Sequence, residues 1–218
     1  TFVSEIQFHK TGGKPIMSAI VELPEVTRKR MLILQNLLQS WQSKKITSVQ
    51  ISEITGWKDS LIRHDLWLLG YNKGVSNGYL KDDLQEAISL ALGFESKEVN
   101  CCILGLNRLG AALLDDATTE GSVFKIKAGF DSNVNRVEIL RSTFPLYPAT
   151  EMSWVIKKEN IRLAILTVAD KDAQVMCDRL VKAGITGIVN MTNSVLRVPE
   201  NVKLENLSIL NSLKIISG

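Results

Sequence analysis

One strand-turn-helix limits what this chain can become more than any other stretch in it. Val99-Asn100-Cys101-Cys102-Ile103-Leu104 is a short, mostly apolar run that stops on Gly105, as a parallel strand buried on both faces does. Helical spacing restarts at Leu109 and carries the predicted helix to about Asp116. Between them lies Gly105-Leu106-Asn107-Arg108-Leu109-Gly110, the spacing of a dinucleotide-binding turn with asparagine at the middle glycine. That middle glycine lets backbone approach a pyrophosphate, and an asparagine side chain fills part of that space. Asparagine tolerates left-handed backbone angles, so the turn is expected to survive while its phosphate seat shrinks.

The residues that follow alternate strands with helices. Phe124 to Asp131 reads as the next strand, and Asp131 at its end stands where a carboxylate accepts both ribose hydroxyls of an adenosine, favouring NAD over its 2′-phosphorylated form. Arg136 just beyond faces either a phosphate or solvent. Arg162 to Val168 and Thr186 to Asn190 read as later strands. The helix Ala173 to Ala183 lies between them, with Val175, Met176, Leu180 and Val181 inward. Asn190-Met191-Thr192-Asn193 falls at a strand's carboxyl end, where ligands sit in this architecture. A short strand near Val202 to Glu205 and a helix from Ser208 to Ile216 close the chain, the helix apolar enough to pack on a partner subunit. The predicted class is therefore α/β, with a Rossmann-like doubly wound parallel sheet over 99–200 and a C-terminal strand and dimerisation helix over 201–218. Its candidate cofactor-binding residues are Gly105, Asn107, Arg108, Leu109, Gly110, Asp131, Val168 and Asn190.

The first half reads differently. The net charge of +3 over 218 residues is too mild to demand a nucleic-acid partner. Its distribution is uneven, however. From Pro24 to Lys81, nine basic residues stand against the four acids Glu25, Glu53, Asp59 and Asp65, so a polyanion is expected on this part. A helix opens at Leu23-Pro24-Glu25-Val26-Thr27 and runs to about Ser40, with Met31, Leu34, Leu37, Leu38 and Trp41 as its apolar stripe. Arg28-Lys29-Arg30 crowds its positive end, which makes sense where a phosphate is the neighbour.

Ile46 to Gly56 reads as strand then helix, with Thr47-Ser48 at the cap and Val49, Ile51 and Ile54 inward. After the Gly56-Trp57-Lys58 turn, Asp59 or Ser60 caps a second helix that stops at Gly70. Leu61, Leu66 and Leu69 face inward on it. Tyr71 to Tyr79 carries an Asn-Gly turn between aromatics and suggests a hairpin. Helix, helix-turn-helix and hairpin in that order make a winged helix. It occupies 22–94, behind a tail at 1–21 and before a polar joint at Glu95 to Glu98. Its second helix enters the major groove with Ser60, Arg63 and His64 outward. Arg63 is the candidate base reader, since a guanidinium fork matches both major-groove acceptors of guanine. Lys58, Lys73 and Arg28, Lys29 and Arg30 are candidate phosphate anchors.

With these stretches in view, the chain from Leu23 nearly to its end resembles the Rex family of redox-sensing transcriptional repressors. The resemblance rests on Leu23-Pro24-Glu25-Val26-Thr27-Arg28-Lys29-Arg30, Asp59-Ser60-Leu61-Ile62-Arg63-His64-Asp65-Leu66 and Pro145-Leu146-Tyr147. It continues through Ala164 to Val168, Asp178 to Ile185, Gly187 to Asn190 and Arg197-Val198-Pro199. The resemblance implies a homodimer that occupies palindromic operators when NAD+ prevails and releases DNA when NADH closes it. It also implies a C-terminal helix exchanged between subunits. Against the family pattern, Asn107 replaces a glycine, Asp116 a tyrosine beside the nicotinamide, and Ser208 an acid at the start of the last helix. Ala169 and Asn193 replace prolines, and His64 a second basic residue. These departures imply weak or lost NAD(H) binding in a repressor whose DNA-binding half is better kept. The alternative is a paralogue with no NAD(H) response.

Other classes fare worse. Cys101, Cys102 and Cys177 form no ligand spacing, and the adjacent pair reads as small core residues on opposite strand faces. No run suits a membrane span, and a cytoplasmic protein is the expectation. A small NAD-dependent enzyme finds no support, since neither His9 nor His64 lies in the nucleotide domain and no nucleophile–base pair or metal cluster is visible.

Overall fold

The first helix forms because its inward residues recur on one stripe. In the computed structural model, which describes residues 23–73, 78–93, 98–115, 119 and 121–217, α1 (Glu25–Ser40) buries Thr27, Met31, Leu34 and Leu38. That i, i+4, i+7, i+11 series keeps a single face inward. The expected tail at 1–21, Asp116, the tip of the expected hairpin and most of the expected joint lie outside the described residues.

The strand β1 (Lys45–Ile46) leads into α2 (Ser48–Thr55). A capping box starts this helix: the Gln50 amide donates to Thr47 Oγ1 at 3.1 Å and the Thr47 amide to Gln50 Oε1 at 2.9 Å. Gly56, at φ 72°, ends it in the left-handed region that glycine enters without strain. Next come α3 (Asp59–Leu68), β2 (Tyr79–Leu80) and α4 (Lys81–Leu92). β2 pairs antiparallel with β1, placing Tyr79 opposite Ile46. Met31, Leu34, Ile46, Ile51, Ile62, Leu66, Leu84 and Ile88 share one core with Tyr71 and Tyr79. The result is a winged helix whose described wing strand pairs with the strand before α2.

One inward assignment fails here and another holds for the most part. In α2 only Ile51 is buried, and Val49 and Ile54 are 54% and 53% exposed. The half-buried positions beside Ile51 are Ser48, Gln50, Ser52 and Thr55, so the helical phase follows small and neutral polar residues rather than the apolar ones. In α3 the expected inward Leu66 is buried with Ile62 and Asp65 and half-buried Leu69 packs against the same core, while Leu61 is half-buried at the edge of the stripe.

Contacts divide the chain into two compact units, 1–95 and 96–218. The second is built on β3 (Val99–Leu104), β4 (Phe124–Asp131), β5 (Leu146–Pro148), β6 (Leu163–Leu166), β7 (Gly187–Asn190) and β8 (Lys203–Asn206). They form one parallel sheet in the order β5-β4-β3-β6-β7-β8. Counted within the unit, that is the 3-2-1-4-5-6 order of a dinucleotide-binding fold, whose ligand crevice opens where the order reverses, between β3 and β6. The helices α5 (Arg108–Ala111), α6 (Val134–Ile139), α7 (Met152–Lys158) and α8 (Ala173–Ala183) connect the strands, and α9 (Ile209–Ser217) follows the last one. Strand alternation sends Cys102 and Leu104 to one core and Cys101 and Ile103 to the other.

α5 is a single turn rather than a helix reaching Asp116. Its bonds tighten to Leu113 N–Gly110 O and Leu114 N–Ala111 O, and the Leu114 carbonyl accepts from Thr143 N at 3.2 Å and Ser142 Oγ at 3.1 Å. A carbonyl spent on that loop is not offered to a further turn. On α8 the expected inward Leu180 is buried with Ala173, Cys177 and Ala183, and Met176 and Val181 pack against the same core, while Val175 is 61% exposed and fails. Among the described residues no helix is long and apolar enough to cross a membrane.

Candidate functional site

Because Ile62, Asp65 and Leu66 turn inward, the opposite face of α3 carries Ser60, Arg63 and His64 into solvent. Lys58 at its N-cap and Lys73 beyond its end are exposed as well. The Arg63 Nη2 pairs with Asp59 Oδ2 one turn earlier, and the His64 ring lies 6.0 Å from that of exposed Trp67. The basic triplet of α1 divides. Lys29 is exposed and pairs with Glu25 at 2.9 Å, and Arg28 is half-buried. Arg30, expected beside a phosphate, instead turns to Asp65, with its side chain only 17% exposed. Asp65 was not among the expected site residues; its place on the Ile62-Leu66 stripe was the readable sign.

In the second unit the glycine turn follows β3 directly. Gly105 has φ 103°, and a Cβ there would stand 2.7 Å from the Val168 amide nitrogen. A Cβ on Gly110 would stand 1.9 Å from the Gly105 carbonyl oxygen and 2.8 Å from Thr167 Oγ1. Both outer glycines are therefore required by packing. Asn107 is not left-handed, as expected from its residue type, but extended, at φ −69° and ψ −171°. Its side chain folds back into the turn. Asn107 Oδ1 accepts from the amides of Leu109 at 3.0 Å and Gly110 at 3.2 Å, and Nδ2 donates to the Thr167 carbonyl. Thr167 Oγ1 in turn donates to the Gly105 carbonyl at 2.5 Å. No sequence spacing announces Thr167, sixty residues downstream, as the partner of this turn.

A cleft of about 340 Å³ opens beside the turn, lined by Gly105, Asn107, Asp131, Val168 and residues of the β4–α6 and β6–α8 connections. Its size lies at the low end for a small-molecule site. Asp131 is 5% exposed and already engaged. Its Oδ2 accepts from the Leu106 amide at 2.6 Å and from Arg136 Nη1 at 3.3 Å, and its Oδ1 from the Asn133 amide at 2.7 Å. Arg108 and Leu109 are exposed on the turn. Asn190 does not line this cleft. It is 1% exposed, and its amide bonds Ser194 O, Asn206 Oδ1 and Thr192. Among the described residues no group of three or more potential metal ligands gathers.

A dinucleotide's pyrophosphate needs free amides at the start of the helix after the first strand. Here Asn107 Oδ1 already takes the amides of Leu109 and Gly110, and α5 has one turn of aligned peptide dipoles to offer. The two carboxylates Asp131 and Asp172 border the same cleft. Arg136 lines it too, and a pyrophosphate would have to compete with Asn107 Oδ1 for these two amides.

Comparison with known proteins covers both units. Residues 96–194 match a family model described as a CoA binding domain. A redox-sensing transcriptional repressor Rex from Limosilactobacillus reuteri (strain DSM 20016) is 30% identical over 198 residues, covering 88% of this chain and 91% of the relative. The Rex of Listeria monocytogenes serotype 4b (strain CLIP80459) is 26% identical over 202 residues, 91% and 94% of the two chains. Among solved structures, RSP, a Rex-family repressor, superposes with a TM-score of 0.79 at 30% identity over 89% of this chain and 92% of its own. The same repressor in complex with β-NAD+ and operator DNA gives 0.81 at 28% identity, covering 89% and 91%.

Proposed function

The chain belongs to the Rex family of redox-sensing transcriptional repressors, and from that premise we propose that it is a homodimeric repressor that binds palindromic operator DNA and responds weakly to the NADH/NAD+ ratio. The observation that carries the reading is the outer face of α3, where Ser60, Arg63 and His64 stand exposed between Lys58 and Lys73. A helix presented in this way reads base edges in the major groove, while flanking lysines neutralise phosphates. Arg63 specifies; Lys58, Lys73, Arg28 and Lys29 position. Arg30 is left out of that set because Asp65 holds it. The partner DNA makes the cytoplasm its working compartment. The relatives are named as repressors, and an enzymatic reading is set aside on that ground.

The weak redox response is supported by Asn107, whose amide stands where a pyrophosphate would need the turn's own N–H groups. A second reading, a paralogue deaf to NAD(H), is favoured by the same observation and differs only in degree. Gel shifts on a Rex-type palindrome, with no nucleotide, with NAD+ and with NADH, test both. The expected result is a specific shift that millimolar NADH releases only in part. Full release at micromolar NADH overturns the weakened site, and no shift above random DNA overturns the repressor.

A further inference from the structure

We propose that Asp59 is a specificity-determining residue, a buttress that fixes the direction in which Arg63 meets the base. This rests on the reading of α3 as the recognition helix. Asp59 opens α3, and one turn later its Oδ2 takes Arg63 Nη2. The other carboxylate oxygen, Oδ1, is enclosed and has no hydrogen-bond partner among the described residues. The carboxylate is thus committed to the arginine.

Two bland roles are available to such an acid. At a helix start it complements the dipole, and an exposed i, i+4 pair adds a little helix stability. Neither role discriminates one DNA sequence from another. For gripping phosphates an acid at the end of a recognition helix is a liability, because it repels the duplex that Lys58 next to it attracts. Its position becomes useful if it acts on Arg63. The Nη2 nitrogen carries two N–H groups. One can serve Asp59 while the other, with Nη1, still presents the parallel pair that matches guanine O6 and N7. Holding the guanidinium in that orientation before DNA arrives lowers the ordering cost of contact. It also narrows the set of bases that the fork can reach.

The test selects binding sites from a random-sequence duplex pool with the wild type, Asp59→Ala, Asp59→Asn and Arg63→Ala. Each protein is then titrated on the selected palindrome and on the same duplex with the contacted guanine replaced by adenine. Asp59→Asn keeps the side-chain shape, and circular dichroism checks that α3 survives in every variant. The expected result is that Asp59→Ala lowers the guanine-over-adenine ratio by about five- to tenfold, part of the discrimination carried by a bidentate pair. Affinity for random duplex rises at the same time, because an acid has been removed. If Asp59→Ala moves both duplexes by one common factor, the acid serves only the helix and the proposal is wrong. If Arg63→Ala erases the preference and Asp59→Ala leaves it whole, the recognition helix stands and the buttress falls. A wild type with no sequence preference removes both.

Discussion

Arg30 and Asp65 lock α1 to α3 through a two-point contact, Nε to Oδ2 at 2.5 Å and Nη2 to Oδ1 at 2.7 Å. Thr27 Oγ1 completes the set by donating to Asp65 Oδ1 at 3.1 Å. The Asp65 side chain is 1% exposed, and its bond to Arg30 raises the guanidinium above its ordinary pKa. A fork-on-fork pair of this kind fixes geometry as well as energy. By pinning the inward edge of α3, it decides which residues face outward.

Removing Arg30 leaves the Asp65 carboxylate buried with, among the described residues, Thr27 Oγ1 as its remaining side-chain donor. Breaking such a pair from one side costs about 3–5 kcal/mol. Arg30→Ala is therefore expected to lower the urea midpoint of the N-terminal unit sharply, whereas Arg28→Ala, at a half-buried surface position, changes the unfolding free energy by no more than about 0.5 kcal/mol and barely moves the midpoint. Equal, small shifts in the two variants would return Arg30 to the phosphate anchors.

Asn107→Gly tests the glycine turn from the other direction. The extended angles at this position suit glycine, and deleting the side chain frees the amides of Leu109 and Gly110. Losing the cap costs a few tenths of a kcal/mol, the usual figure for a cap replaced by glycine. Recovering two charge-assisted phosphate bonds is worth more, and about 1.4 kcal/mol suffices for a tenfold gain in affinity. Calorimetric titration of NADH is expected to show at least that gain in the variant. An unchanged or weaker binding constant would mean that the asparagine is not what blocks the seat.

Much of the layout was legible because its signals were local. The run ending at Gly105, the cap region at Thr47 and the glycine after α2 each act within a few residues, so spacing alone revealed them. The phase of short helices was not. α2 turns Ser48, Ser52 and Thr55 toward its core and leaves Val49 and Ile54 in solvent, which apolar periodicity cannot anticipate. The elements α6, β5 and α7 have short patterns that only the sheet organises. At the site, the glycines were readable but the fate of Asn107 was not, because its bond to Thr167 closes a gap of sixty residues. The Arg30–Asp65 pair was hidden for the same reason: the partner lies thirty-five residues on.

The cysteines give a prediction that depends on pH. Burial pushes the Cys101 thiol up to about 11, and raises Cys102 and Cys177 also. The thiolate is the reactive form, so none should react with a disulfide reagent at pH 8 until the chain unfolds. The sign of the linkage follows. Above roughly pH 8.5 the unfolded chain loses thiol protons that the folded chain retains, so stability falls as pH rises toward 11. Denaturant titrations at pH 7.5 and pH 10 are expected to show the lower midpoint at pH 10. Rapid labelling of the native protein at pH 8 would place at least one thiol outside the core.

α9 carries the case for a dimer. Ile209, Leu210, Leu213, Ile215 and Ile216 are each more than half exposed on a helix of nine residues that buries none of its own side chains. An isolated helix of that length is marginal in water, and such a concentration of exposed apolar side chains calls for a covering surface. Under the proposed function a second copy of the chain is the occupant, since a palindromic operator takes one recognition helix on each half-site. Leu213→Glu with Ile209→Glu, or removal of residues 208–218, is therefore expected to convert a dimer into a monomer in light scattering at micromolar concentration. Affinity for the full palindrome should then fall by several orders of magnitude while binding to a single half-site changes little, because linking two sites multiplies affinity only when both can be engaged together. A dimer that survives the truncation, with operator affinity intact, would show that subunits pair through another surface and that α9 is covered in some other way.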